Sequence, residues 1–385
     1  MSNPVNVRSS ITLADDFVFD QVSSKPNIVA PSSPPTLGPL AAFVGDFAGN
    51  GFNTIFRPDS PVTPTPLPIP AGGDNILELN LTAEHLSFSQ SLGSVPNRGM
   101  VQADAFLNGV PYVQSIQDVT NPAQPVGIHF EPGLWMIVPI TTDPAEPQSL
   151  VRMASIPHGT TIEAQGTATT IAGPPTIAPV DITPFPTGGG APIRFPSQTA
   201  ATPGTPRIPQ DLTPFIAAGT ITQAILDDPN TVLRNHIAKQ KIVSTTTIVI
   251  STNPAAPLFG GGTDNIAFLL GDNNTPPRQP NAQSLQMSAV FWIETVEQTI
   301  LVPIFRAGQP PLTIKGSASV PGQPAPRFSV TPPMELTEPK EITVRTTQIQ
   351  YSQKVLLNFN GLTWPHVSVA TLVPADAVVV PPSVW

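Results

Sequence analysis

Five histidines and no cysteine bound the chemistry open to this chain. Without cysteine there is no disulfide, no thiolate metal site, no iron–sulfur cluster and no thiol nucleophile. Imidazoles and carboxylates must therefore supply any ligand or proton carrier. His129 lies in Gly127-Ile128-His129-Phe130-Glu131-Pro132-Gly133-Leu134-Trp135. On a strand, residues two apart share a face. Glu131 can then orient the His129 imidazole or raise its pKa, and Trp135 follows at the same parity. The same residues also suit a satisfied polar pair at a barrel rim. His158, in Ile156-Pro157-His158-Gly159-Thr160, sits in a turn between two strand patterns, where function competes with plain solvation. His366 opens an apolar strand in Leu362-Thr363-Trp364-Pro365-His366-Val367-Ser368-Val369. By pattern alone it reads as a core histidine more readily than as a ligand. His85 and His236 have ordinary strand and helix neighbours. Glu294 follows Phe291-Trp292-Ile293 and reads as an outward strand position, with a buried acid as the alternative.

Other motifs are missing. Phe259-Gly260-Gly261-Gly262-Thr263-Asp264 lacks the Gly-Lys-Ser/Thr of a phosphate loop and reads as a turn. There is no Gly-x-Ser-x-Gly elbow and no His-Glu-x-x-His helix. Covalent haem attachment through Cys-x-x-Cys-His is excluded, so any haem would be b-type.

The elements that must position these residues follow from composition. The 385 residues include 51 prolines and 27 glycines, with 11% charged and 40% hydrophobic residues. Proline blocks helix interiors and central strands alike, which excludes a mostly helical protein and a coiled coil. The low charge and the apolar content exclude pervasive disorder. What remains is short apolar strands joined by proline-stiffened loops. The net charge of −9, with no basic run, argues against nucleic-acid binding and a polybasic membrane anchor. No apolar run approaches 18 residues, so no membrane insertion is expected. Met1 to Asp20 shows no secretory pattern, so the expected location is cytoplasmic.

Along the chain, residues 1–39 read as an N-terminal arm, within which Asp15 to Phe19 could pair as an edge strand. Residues 40–167 carry short strand patterns spaced as in a meander sheet or barrel. Among them Asn75 to Leu81 alternates, with Ile76, Glu78 and Asn80 on one face and Leu77, Leu79 and Leu81 on the other. Residues 168–240 form a Pro/Gly-rich excursion with a helical segment. There Thr220 to Leu226 is helix-compatible. Asp228-Pro229 offers an N-cap and a proline at the first helical position, ahead of Val232, Leu233, His236 and Ile237 on one face. Residues 241–374 bring further strands, Asn265 to Leu270 among them. The tail 375–385 is apolar and could pack on a neighbouring subunit, as in a homo-oligomer, or on its own barrel.

Three landmarks in order carry a resemblance. They are Gly45-Asp46-Phe47-Ala48-Gly49-Asn50-Gly51-Phe52, then Ile128 to Trp135, then the closing strands Arg345 to Ile349, Val355 to Phe359 and Pro365 to Leu372. Together they resemble nitrobindin-like haem β-barrels, within the wider lipocalin and fatty-acid-binding-like class. The match covers about 150 residues, and 168–340 would be an elaboration. It departs where Phe47 replaces the family's Trp. The resemblance implies a mostly β fold, an antiparallel calycin-like β-barrel with long Pro-rich insertions and one or two short helices. It implies haem b, or no cofactor if haem has been lost, with His366 as the iron ligand and Phe52, Trp135 and Trp364 as cofactor-binding residues. His129, His158 and Glu131 are the catalytic candidates for peroxidase-like or peroxynitrite isomerase-like work on reactive oxygen or nitrogen species. The alternatives are a haem-free carrier of an apolar small molecule, or an isomerase or cyclase with Glu294 or His129 as its acid. An interaction protein built on the proline-rich loops would instead show an interior filled by side chains.

Overall fold

A computed structural model describes residue 33 and residues 35–68, 73–272 and 279–385. The edge strand expected at Asp15 to Phe19 lies outside the described residues. Ten strands close into one antiparallel barrel: β1 (Gly45–Pro58), β2 (Asn75–Phe88), β3 (Ala105–Asp118), β4 (Val126–Val138), β5 (Ser149–Ile156), β6 (Thr160–Ala172), β7 (Lys241–Ser251), β8 (Gln283–Val302), β9 (Lys340–Phe359) and β10 (Leu362–Pro374). Each pairs with its neighbours in chain order. The last strand completes the ring. β10 returns to β1, with Phe52 opposite Val369, and β2 pairs with β3, with Phe88 opposite Tyr112. Closure leaves the wall without an exposed edge.

The expected mostly β, calycin-like barrel is therefore present. Several strands are longer than their sequence patterns. β2 runs on from the alternating Asn75 to Leu81 as far as Phe88, and β9 joins Arg345 to Ile349 and Val355 to Phe359 in one strand. Within 168–340, expected as elaboration, β7 and β8 are wall strands.

The wall is apolar on both faces. Inward-facing Phe47, Leu86, Trp135, Ile248, Phe291, Tyr351 and Leu372 belong to one buried cluster. Outward-facing Phe52, Leu77, Leu79, Val367 and Val369 belong to a second, completed by Ile177, Ile182, Leu212, Ile221 and Leu233 of the excursion. The segment expected as a surface excursion is thus a cover over part of the barrel. Its helices are α1 (Thr213–Ala218), α2 (Gln223–Asp227) and α3 (Thr231–Ile237). Asp228 does not cap α3 directly. Its carboxylate accepts from the Asn230 backbone, and the helix starts after Asn230. His236 on α3 is spent on docking, with Nδ1 2.6 Å from Thr371 Oγ1 and 3.0 Å from Gln323 Nε2. Arg207 is fully buried and donates to the carbonyls of Ser197, Thr199, Thr202 and Gln210, tying the turn-rich 196–210 segment together.

Two local expectations fail. Asn265 to Leu270 is not a strand. A short strand, Gly262–Asn265, leads into α4 (Ala267–Leu270). Apolar runs of four residues carry no period that separates the two states. There are also four short α-helices among the described residues, not one or two. The tail packs on its own chain. Val378–Val379 pairs with Phe328–Ser329, and Val384 and Trp385 sit against a third apolar cluster under the far ends of β8 and β9.

The glycines of the Gly45 to Phe52 landmark have a steric cause. A Cβ at Gly49 would stand 1.9 Å from the Thr371 carbonyl, and one at Gly51 2.2 Å from that of Val369. Gly166 on β6 is tighter still, at 1.7 Å from the Val249 carbonyl. Gly166→Ala is expected to destabilise by about 1–3 kcal/mol through overpacking, read as a lowered urea midpoint.

Candidate functional site

Strand alternation brings polar side chains inward across the middle of the barrel. One end is plugged. Leu40 and Phe43, held by the 3-10 turn Gly38–Ala42, enter the lumen. Phe43 stacks on Phe88 at 4.5 Å and meets Trp135 edge-on at 5.5 Å. Trp135 also lies 5.1 Å from Phe291. It faces inward as expected, but within this sealed half.

The next layer is charged. Arg152 lies over Phe291 and Trp135 and donates to Glu131 Oε1 at 2.5 Å, to Tyr112 Oη at 2.8 Å and to Gln353 Oε1 at 2.7 Å. Tyr112 donates to the same Glu131 oxygen. His129 Nε2 reaches the other, Oε2, at 3.1 Å. The Glu131 side chain is 0% exposed and that of His129 16%. Burial alone would raise Glu131, but Arg152, His129 and Tyr112 outweigh it and hold its carboxyl at about 2. Glu131 is therefore a fixed anion that orients His129, and it carries no exchangeable proton at ordinary pH. Beside it, Glu84 accepts from Tyr351 at 2.5 Å, from Thr82 at 2.9 Å and from Gln114 at 3.3 Å. Burial raises Glu84, opposed by these bonds. Two inward carboxylates are thus pushed in opposite directions.

The opposite end carries the remaining inward histidine and the turn histidine. His366, partly buried on β10, has Nε2 2.9 Å from Asn53 Nδ2 and 3.4 Å from Ser368 Oγ. Burial pushes its imidazole down to about 3, and the charges of His129 and His158 act in the same direction. His366 is therefore neutral at ordinary pH. His158, in the exposed turn between β5 and β6, has Nε2 3.1 Å from the Ile128 carbonyl. Burial and the neighbouring His129 lower its pKa, against the Ile128 carbonyl. The rings of His129 and His158 are 5.9 Å apart. The fold thus gathers His129, His158 and His366 at one end of the barrel, with Glu131 behind His129.

Phe52 and Trp364 are not with them. Phe52 lies in the outer cluster. Trp364 stacks on Phe359 at 4.6 Å and on Phe195 of the excursion at 5.3 Å. The reason is parity for Phe52, whose neighbour Asn53 points inward. Glu294 also leaves the lumen. It lies on the outer face of β8, as its outward parity implies, yet is fully buried, donated to by Gln348 Nε2 at 2.6 Å. That removes it as the acid of a lumenal isomerase or cyclase.

Sequence reasoning missed Arg152, Tyr112, Glu84 and Tyr351. One signal was available for Arg152, the single charge in the apolar strand Ser149–Ile156. The alternation of β2 carried another, but its polar face points inward.

For a haem, the His366 end offers one donor, a neutral, partly buried imidazole whose Nε2 lies beside Asn53 and Ser368. It does not offer the aromatic wall expected from Phe52 and Trp364. Ile116, Ile156 and Val355 share the inward parity there instead, whereas Ile55 packs against the outer cluster.

No helix among the described residues is long and apolar enough to cross a membrane. No family model matches the chain. No curated protein matches it. Among solved structures, the crystal structure of Rv2717c from M. tuberculosis matches 89% of this chain and 98% of its own, at 10% identity and a TM-score of 0.33. A likeness at that level carries no argument about this chain.

Proposed function

We propose that the barrel binds a small, largely apolar molecule at the end that carries His366, and that this molecule is a b-type haem held through His366. The observation that supports this reading is the state of His366, inward-facing, partly buried and kept neutral at that end. A neutral imidazole can offer iron a nitrogen lone pair, and at His366 Nε2 that would mean displacing the Asn53 amide beside it. Ile116, Ile156 and Val355 would supply apolar wall. When bound, the haem would supply an iron centre able to react with oxygen or nitrogen species. His129 and His158 would hold or move a proton at their imidazole nitrogens, with Glu131 keeping His129 in place. This is the peroxidase-like or peroxynitrite isomerase-like reading.

The test is an absorption spectrum of purified protein before and after adding hemin. A sharp Soret band is expected, lost in His366→Ala while the far-ultraviolet circular dichroism stays unchanged. A band that survives in His366→Ala removes His366 from the role.

One observation favours a second reading. Asn53 donates into His366 Nε2, a lone pair that iron would need. A haem-free carrier of an apolar small molecule leaves that bond intact. It predicts no Soret band, and an apolar compound released from the purified protein and detected by mass spectrometry.

A further inference from the structure

His129 and His158 each have one ring nitrogen committed, and to an acceptor. His158 Nε2 lies 3.1 Å from the Ile128 carbonyl, which can only accept, so Nε2 carries the proton. His129 Nε2 lies 3.1 Å from Glu131 Oε2. That carboxylate is pinned by Arg152 and Tyr112 on its other oxygen, so Nε2 donates there as well. In a neutral imidazole the second nitrogen is then a lone pair. In each neutral ring Nδ1 is then the Lewis base, with the tautomer set by a carboxylate for His129 and by a backbone carbonyl for His158. Histidines that ligate metals are held in this way.

We propose that His129 and His158 together bind a divalent transition-metal ion through Nδ1, with water or a small exogenous ligand completing its shell. The ring centroids are 5.9 Å apart, with planes inclined by 39°. With metal–nitrogen bonds of about 2.0–2.1 Å, two imidazoles on a tetrahedral ion place their centroids roughly 5 Å apart. Closure by about 1 Å therefore forms the site. His158 can supply that movement, being exposed in the turn at 157–159. Imidazole selects zinc, nickel or copper over magnesium or calcium. Among the described residues, no three His, Asp or Glu side chains converge on a point that could hold an ion. The site accordingly has two protein ligands and open positions. His366 is outside it, since no third His, Asp or Glu among the described residues converges with these two. The site needs neither His366 nor a haem.

The test is calorimetric titration of haem-free, full-length protein with Zn2+, repeated with Ni2+. One saturable site is expected, weakened at least tenfold in His158→Ala and unchanged in His85→Ala and His366→Ala. His129→Gln is the matching variant on the other ligand, with circular dichroism to check its fold. Since His158 is exposed, His158→Ala keeps the proposal testable if His129→Gln fails to fold. Absence of saturable binding, or unchanged affinity in His158→Ala, would overturn the assignment. So would a loss in His366→Ala as large as that in His158→Ala.

Discussion

Arg152→Met should cost the fold about 3–5 kcal/mol, the usual penalty for removing one partner of a buried ion pair. The cause is what stays behind. Glu131 would keep a charge in a lumen where it is 0% exposed, with only Tyr112 and His129 to meet it. Gln353 Oε1 would lose its donor as well. Urea denaturation at pH 7 measures the effect, and a double-mutant cycle with Glu131→Gln assigns it. The double variant is expected to be more stable than the sum of the two singles predicts, because removing both charges removes the unpaired one. In the native protein Glu131 is held at about 2, below its unfolded value. Its stabilisation is thus full above the unfolded pKa and lost as pH falls toward 2. Strictly additive losses in the cycle would mean that the pair does not couple as its geometry implies.

Glu294→Gln should act in the opposite direction and stabilise the protein at neutral pH. Burial raises Glu294 to about 8, against the hydrogen bond from Gln348. Its folded pKa lies above its unfolded value, so the native state holds the extra proton. Stability is full below the unfolded pKa and falls as pH rises through 8. Each tenfold change in proton affinity is worth about 1.4 kcal/mol, so an ionisable group at this position costs about 3 kcal/mol near pH 7. The amide introduced by Glu294→Gln would stay beside Gln348 without that titration. The expected result is a gain of about 2–3 kcal/mol at pH 7.5 that shrinks to near zero at pH 4.5, read from urea midpoints of both proteins at each pH. His236, lowered to about 4, and His366, lowered to about 3, work the other way, costing stability as pH falls below their unfolded values. Comparing variant with wild type at one pH cancels their share. Equal midpoints at pH 7.5 would mean that Glu294 is solvated or otherwise paired in solution.

The reach of sequence reading follows from what each residue's pattern depends on. His129 and Glu131 were legible as a pair because two-residue spacing on a strand is a local property. The prolines and the strand-length apolar runs were legible as a β class for the same reason. The polar face of β2 was legible as a stripe, but not as the lumen side. Polar alternation marks water-facing residues in most sheets, whereas here Asn80, Thr82 and Glu84 find their partners inside. Phe52 and Trp364 looked like ligand walls because both faces of this barrel are apolar, and sequence cannot say which face a covering segment buries. Glu294 had the right outward parity and the wrong environment, since its partner Gln348, itself bonded to Gln240, is more than 50 residues away.

By itself the amino-acid sequence determined the class of elements, the order of the strands, the short inventory of imidazoles and the absence of thiol chemistry. These follow from residue type and near-neighbour spacing. Only the tertiary structure decided which histidines meet. His129, His158 and His366 come from three separate strand ends, brought to one end of the barrel because β10 returns to β1 while β2 pairs with β3. It also decided the protonation states. Burial holds His366 neutral, and Arg152 keeps Glu131 an anion. Both effects depend on what surrounds a group in space, and charge and desolvation act through distance, not through position in the chain.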